Sequence, residues 1–275
     1  YGTAVNYGGA IAVWGSNSVL VNNTFDNSKT TKYNGGAVFV SGTNTSISLS
    51  NFTQCDALGD AYARGGAIDV QGDDTNIFGC NFDDCNSRYG GVIYVSGTNA
   101  KIDESTFKDS EARQGGAIYV EGTDTSISNS NFTRIIADNY GGSIYVAGAN
   151  ANISKSNFIE SSVKNYNGGA IYVAGENANI EKSNFTSSKA INSRNKALGG
   201  AIYVEGANAV IKESDFDDCK ASEGGGAIYA YGNEAIIEDS TFNSSTAKYG
   251  GAIYLTSWGS SITRSNITGS TATQN

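Results

Sequence analysis

The chain has 275 residues, 35 of them glycine, with no proline, methionine or histidine and a net charge of −9. Its 39% hydrophobic and 11% aromatic content excludes a disordered chain, and its acidity disfavours a nucleic-acid partner, whose phosphates it would repel. No apolar run approaches the roughly 20 residues of a spanning helix, so no membrane span is expected. The absence of methionine suggests a processed product or a fragment of a longer protein.

From the N-terminus onward the chain is a repeat. A Gly-Gly pair begins at Gly8, Gly35, Gly65, Gly90, Gly115, Gly141, Gly168, Gly199, Gly225 and Gly250. Seventeen residues after each first glycine stands an aromatic, from Phe25 through Phe242, replaced by Ile267 in the tenth unit. Length varies only between that aromatic and the next Gly-Gly, from eight to fourteen residues, which marks one permitted site of insertion.

Taken in order along the fifth unit, Ile118 and Val120 alternate with Tyr119, then Thr125 and Ile127 take up the period, then Ser130 and Phe132. Period two predicts strands, and each phase slip predicts a bend that keeps the apolar set inward. Three short strands per turn of about 25 residues predict a single-domain, all-β chain over 1–275: a single-stranded right-handed parallel β-helix of about ten turns. Stacking would place Leu20, Ile47, Ile77, Ile102 and their successors in one interior column and the phenylalanines in another. Asn and Asp nine residues after the first glycine, from Asn17 to Asn208, would form a hydrogen-bonded ladder. Gly122 and its counterparts, seven residues on, would supply turns with positive φ.

The Gly-Gly-Ala-Ile element, followed by Ser-x-Phe and a small-residue corner such as Phe107 to Ala112 ("FKDSEA"), resembles the repeats of adhesin-like surface proteins of methanogenic archaea. It is also similar to the repeats of chlamydial polymorphic outer-membrane proteins, departing where their Phe-x-x-Asn signature carries its last Asn. The resemblance covers all ten units and implies a secreted, surface-displayed adhesin or stalk rather than an enzyme. It implies an extracellular location, with cell-surface glycans or proteins of another cell as partners, and no cofactor. A motif of this kind identifies a scaffold and not a ligand.

The candidate binding face is a column four residues after the first glycine: Phe39, Tyr94, Tyr119, Tyr145, Tyr172, Tyr203, Tyr229 and Tyr254, interrupted by Asp69. Lying between inward residues, these rings should point outward as a stripe, either stacking on one another or offering a platform to sugars. The longer insertions after Phe52 and Phe185 enter this same strand and would rim the stripe. Possible glycosylation sites are Asn22, Asn44, Asn51, Asn131, Asn152, Asn184, Asn243 and Asn266. Cys55, Cys80, Cys85 and Cys219 lack zinc spacing and read as buried free thiols, so no metal is expected.

Two other readings compete. A polysaccharide lyase or hydrolase would use the carboxylates of the third unit, Asp69, Asp73, Asp74, Asp83 and Asp84, whose default role is a solvated acidic edge. A purely structural spacer or filament subunit would bind nothing and self-associate end to end or laterally, since neither end carries an evident cap.

Overall fold

The computed structural model describes residues 2–59, 62–192 and 196–274. They form a parallel β-solenoid: each turn lays its strands directly on those of the turn before, in one register except for a bulge between Ala112 and Gln114. Four parallel sheets result, one of eleven strands and three of ten. The sequence predicts three strands per turn. The fourth, of which Thr3–Ala4, Glu111–Gln114 and Thr271–Ala272 are members, occupies the segment read as a loop. Its inward positions carry mostly small groups such as Ala57, Ala112 and Ala190, with Val163 an isolated exception, so no run of bulky residues betrays the alternation.

The first strand of a turn, for example Ile118–Val120, turns Ile and Val into the bore and the central residue away from it. Ser126–Ser128 then presents only Ile127 inward, and Asn131–Thr133 only Phe132. Stacking these turns makes the two predicted columns real. The phenylalanine rings from Phe25 to Phe242 lie nearly parallel, with centroids 4.6–5.0 Å apart. Each fully buried ring or isoleucine removes enough apolar surface to be worth roughly 1.5–3 kcal/mol.

Between the columns runs a ladder of buried hydroxyls. Ser130 donates its Oγ hydrogen to the Ser128 carbonyl (2.7 Å) and accepts the Ser105 N–H (3.2 Å). Ser105, Ser156, Ser183, Ser214 and Ser240 accept the N–H of the preceding turn at this corner in the same way. A phase slip inside the core would otherwise leave a buried donor without a partner, at about 1–3 kcal/mol each. The four cysteines are free and buried, and all stand in serine-sized slots.

The bends are made by left-handed residues. Positive φ falls on the first glycine of each unit, on the Asn or Asp nine residues later, and at two further corners occupied by such pairs as Asn129 and Arg134. The expectation for the glycine at the seventh position is therefore corrected. Gly122 and Gly175 do not have left-handed φ; they are glycine because the neighbouring turn comes too close. A Cβ on Gly175 would stand 2.0 Å from the Gly148 carbonyl oxygen. The Asn/Asp ladder forms as expected, Asn177 Nδ2 donating to Asn150 Oδ1 at 3.1 Å and Asn208 to Asn177 at 3.0 Å.

Gly175→Ala should lower stability by several kcal/mol, because backbone on both sides must move to admit the methyl group. Asn177→Gly keeps the permitted φ and loses two exposed amide bonds, one to Asn150 and one from Asn208, costing about 1–2 kcal/mol. Thermal unfolding followed by far-ultraviolet circular dichroism checks the contrast; equal losses would contradict the close-approach assignment.

Candidate functional site

The candidate stripe begins with a backbone constraint. The residue before the left-handed glycine ends one turn, and in several turns its side chain is folded back over the outer face of the strand that follows. These covering residues include Tyr7, Asn34, Arg64, Tyr89, Tyr140, Leu198 and Tyr249. The tyrosines leave the bore as predicted, but they do not reach solvent as a free platform. Tyr94, Tyr172, Tyr203 and Tyr229 are buried, as is Phe39, while Tyr119 and Tyr145 are half-buried and Tyr254 is 36% exposed. They form a second, outer core in which Tyr140 and Leu198 pack on Tyr145, Tyr172, Tyr203 and Tyr229.

Their faces are consumed by one another. From Tyr94 to Tyr229 successive centroids lie 4.7–5.3 Å apart with interplanar angles of 2–17°. Tyr254 breaks the stack, tilting 58° from Tyr229. Phe39 belongs to a separate group with Tyr7 and Trp14, at 4.7 and 5.1 Å, because Asp69 occupies the turn between. What this column offers outward is its hydroxyl edge. Tyr94 and Tyr172 donate to the carboxylates of Glu121 and Glu205, and Tyr229 shares a hydrogen with Thr256 (3.2 Å). Burial first, and then the adjoining carboxylate, push the Tyr94 and Tyr172 phenols well above their ordinary value, and burial carries Tyr203 to about 12. They remain neutral hydrogen-bond donors at any physiological pH.

Sequence reading missed Glu121 and Glu205, which sit two residues after Tyr119 and Tyr203, one turn beyond the tyrosines they accept from. It also missed the covering column. The signal was present: an aromatic or long residue precedes the Gly-Gly pair in Tyr7, Arg64, Tyr89, Tyr140, Leu198 and Tyr249.

The insertion after Phe52 does reach the column. Tyr62, at 67% exposure, and Arg64, half-buried, close a cleft of about 290 Å³ with Tyr89, Tyr94, Gln114, Tyr119 and Glu121. The Arg64 guanidinium lies 4.6 Å from the Tyr94 ring centroid, within cation–π range. The second insertion delivers Leu198 to the tyrosine cluster; residues 60–61 and 193–195 lie outside the described segments.

The third-unit carboxylates are not brought together. Asp69 faces the tyrosine column, Asp73 and Asp74 sit at the next corner, and Asp83 belongs to the phenylalanine sheet. Asp84 borders a separate open cleft of about 630 Å³ with Asn86, Glu111, Arg113 and Asp138, part of it ion-paired through Lys164. Among the described residues no three metal-binding side chains cluster. Of the sequons only Asn152 is half-buried, the other seven being exposed. The Nδ2 atoms of Asn44, Asn184 and Asn243 already donate to side-chain oxygens of the preceding turn.

Asp69 itself is fully buried. Its Oδ2 accepts from Gln71 at 3.2 Å, while its Oδ1 and the nearby Asn34 Oδ1 find no partner among the described residues. Desolvation raises its pKa to about 7 against the opposing pull of Arg64. Because the folded value lies above the ordinary 3.8, the native state holds a proton that the unfolded chain releases between the two values. The contribution of Asp69 to stability is therefore greatest below about pH 4, falls as pH rises toward 7, and levels off above it. Asp69→Asn should raise the melting temperature at pH 8 and leave it nearly unchanged at pH 4. A gain that is the same at both values would show that Asp69 is ionised throughout.

Residues 90–268 match the family described as the right handed beta helix region. Comparison with curated protein sequences gives no match.

Proposed function

We propose, from a chain that belongs to the right-handed β-helix family, that this β-helix is an extracellular, surface-displayed adhesive stalk that attaches to glycans of another cell. The observation that supports this most is the set of hydroxyl and carboxylate groups along the tyrosine column. Tyr94 with Glu121, Tyr172 with Glu205 and Tyr229 with Thr256 repeat along one edge of a scaffold about 48 Å long. Polar groups at several levels of a rigid edge suit an extended polyhydroxylated chain, which more than one turn can engage at once. Stacked ring faces stiffen that edge and are not themselves the contact surface.

Adhesion by this edge has a definite consequence. Replacing Tyr94, Tyr172 and Tyr229 with Phe keeps the stack and removes only hydroxyls. The triple variant should keep its fold, unfold within a few degrees of the parent, and lose most attachment to glycan-coated surfaces or cells. Undiminished attachment well below its melting point would remove the tyrosine edge from the adhesive face.

A polysaccharide-active enzyme remains the second reading, favoured by one observation: the Asp69 carboxyl has a pKa of about 7, suited to proton transfer, behind a cleft bordered by Arg64. Against it, the Asp69 side chain is fully covered. Release of reducing or unsaturated sugar ends by the protein, abolished in Asp69→Asn, would decide for the enzyme.

A further inference from the structure

Arginines elsewhere on this acidic surface hold carboxylates. Arg134 grips both oxygens of Asp109 at 2.7 Å, and Arg264 grips both oxygens of Asp239 at 2.7 Å. Arg64 does not. Its guanidinium lies on the Tyr94 ring, half-buried, and among the described residues it donates no hydrogen bond and joins no ion pair. Two carboxylates of this region form no ion pair with it: Glu121 accepts from the Tyr94 hydroxyl, and fully buried Asp69, whose pKa Arg64 draws down, accepts from Gln71. A partly desolvated guanidinium with its planar fork of donors unused is unfavourable unless a ligand meets it.

The rest of the cleft states what that ligand must be. Tyr62 leaves its ring at the mouth with 67% of its surface exposed, an apolar face for the C–H groups of a sugar. Gln114 and Glu121 offer side-chain acceptors for hydroxyl hydrogens along the same wall. The volume of about 290 Å³ is at the small end of ligand sites, enough for one sugar ring and not for an oligomer. Glu121 and the neighbouring Asp69 would oppose a doubly charged phosphate, whereas a single carboxylate can take the fork of Arg64 and keep its remaining charge modest.

We propose that the cleft bordered by Tyr62, Arg64, Tyr89, Tyr94, Gln114 and Glu121 is a binding subsite for one carboxylate-bearing sugar residue. Arg64 takes the carboxylate, Tyr62 the ring face, and Glu121 with Gln114 the hydroxyls. This rests on the reading of the protein as a glycan-binding stalk and narrows it, since it places acid-sugar specificity at one turn of an otherwise repetitive edge. The insertion that carries Tyr62 and Arg64 gives that turn what the shorter corners lack.

The test is calorimetric titration of the full chain with oligosaccharides ending in galacturonate, glucuronate or sialic acid, each beside its carboxyl methyl ester. The acid should bind and the ester should bind at least tenfold more weakly. Arg64→Gln should erase that difference, Arg64→Lys should restore part of it, and Tyr62→Ser should weaken acid and ester alike. Should Arg64→Gln fail to fold by circular dichroism, Arg64→Lys and Tyr62→Ser still read the site. Equal affinity for acid and ester, or an Arg64→Gln variant that keeps the preference, overturns the proposal. Attachment to cells by a protein that binds none of these acids also overturns it, and leaves the adhesive reading standing. Arg64-dependent acid binding without any attachment to cells supports the subsite and defeats the adhesive reading.

Discussion

Everything in this fold depends on the backbone hydrogen bond between turns. It sets a repeat of about 4.8 Å and lays each residue on its counterpart one turn away. Once that spacing is imposed, like must stack on like. Phenylalanine meets phenylalanine at van der Waals distance, amide donates to amide, and serine hydroxyl meets the N–H of the serine before it. Proline, which cannot donate, is absent altogether.

The same constraint explains the glycines, for two different reasons. At the first of each Gly-Gly pair the chain must turn left-handed, and a Cβ would strike the unit's own Ile carbonyl, at 2.2 Å from Ile144 in the case of Gly141. At its second glycine the obstacle is the following turn: a Cβ on Gly142 would lie 1.9 Å from the Gly169 carbonyl oxygen. The corners at Asn129, Arg134 and their counterparts also turn left-handed without glycine. Each such residue costs about 1 kcal/mol of strain, which the ladders and stacked columns offset.

Charge and aromatic surface are then distributed by geometry. Outward residues of the phenylalanine and isoleucine sheets meet solvent and form amide ladders and ion pairs such as Lys212 with Glu181. Outward residues of the tyrosine sheet meet instead the chain closing the previous turn, and so become an outer core with a polar lip. Asp69 is the exception within that core, a carboxyl held largely protonated below about pH 7 where every neighbour in its column is aromatic. It stands beside the one turn whose corner has grown to carry Tyr62 and Arg64.

The sequence alone determined the repeat, the inward columns and the amide ladder, because a strict offset from Gly115 to Phe132 survives any uncertainty about bends. It determined the insertion corner for the same reason. It could not show the fourth strand, since Ala112 and Ala137 bury too little surface to mark an alternation. Nor could it show which glycines turn and which merely yield space, because both look alike until the neighbouring carbonyl is placed. Tertiary structure alone decided the fate of the tyrosines. Alternation says that Tyr119 leaves the bore; only the fold-back of Tyr89 onto it, with ring centroids 5.6 Å apart, decides that leaving the bore is not the same as reaching water.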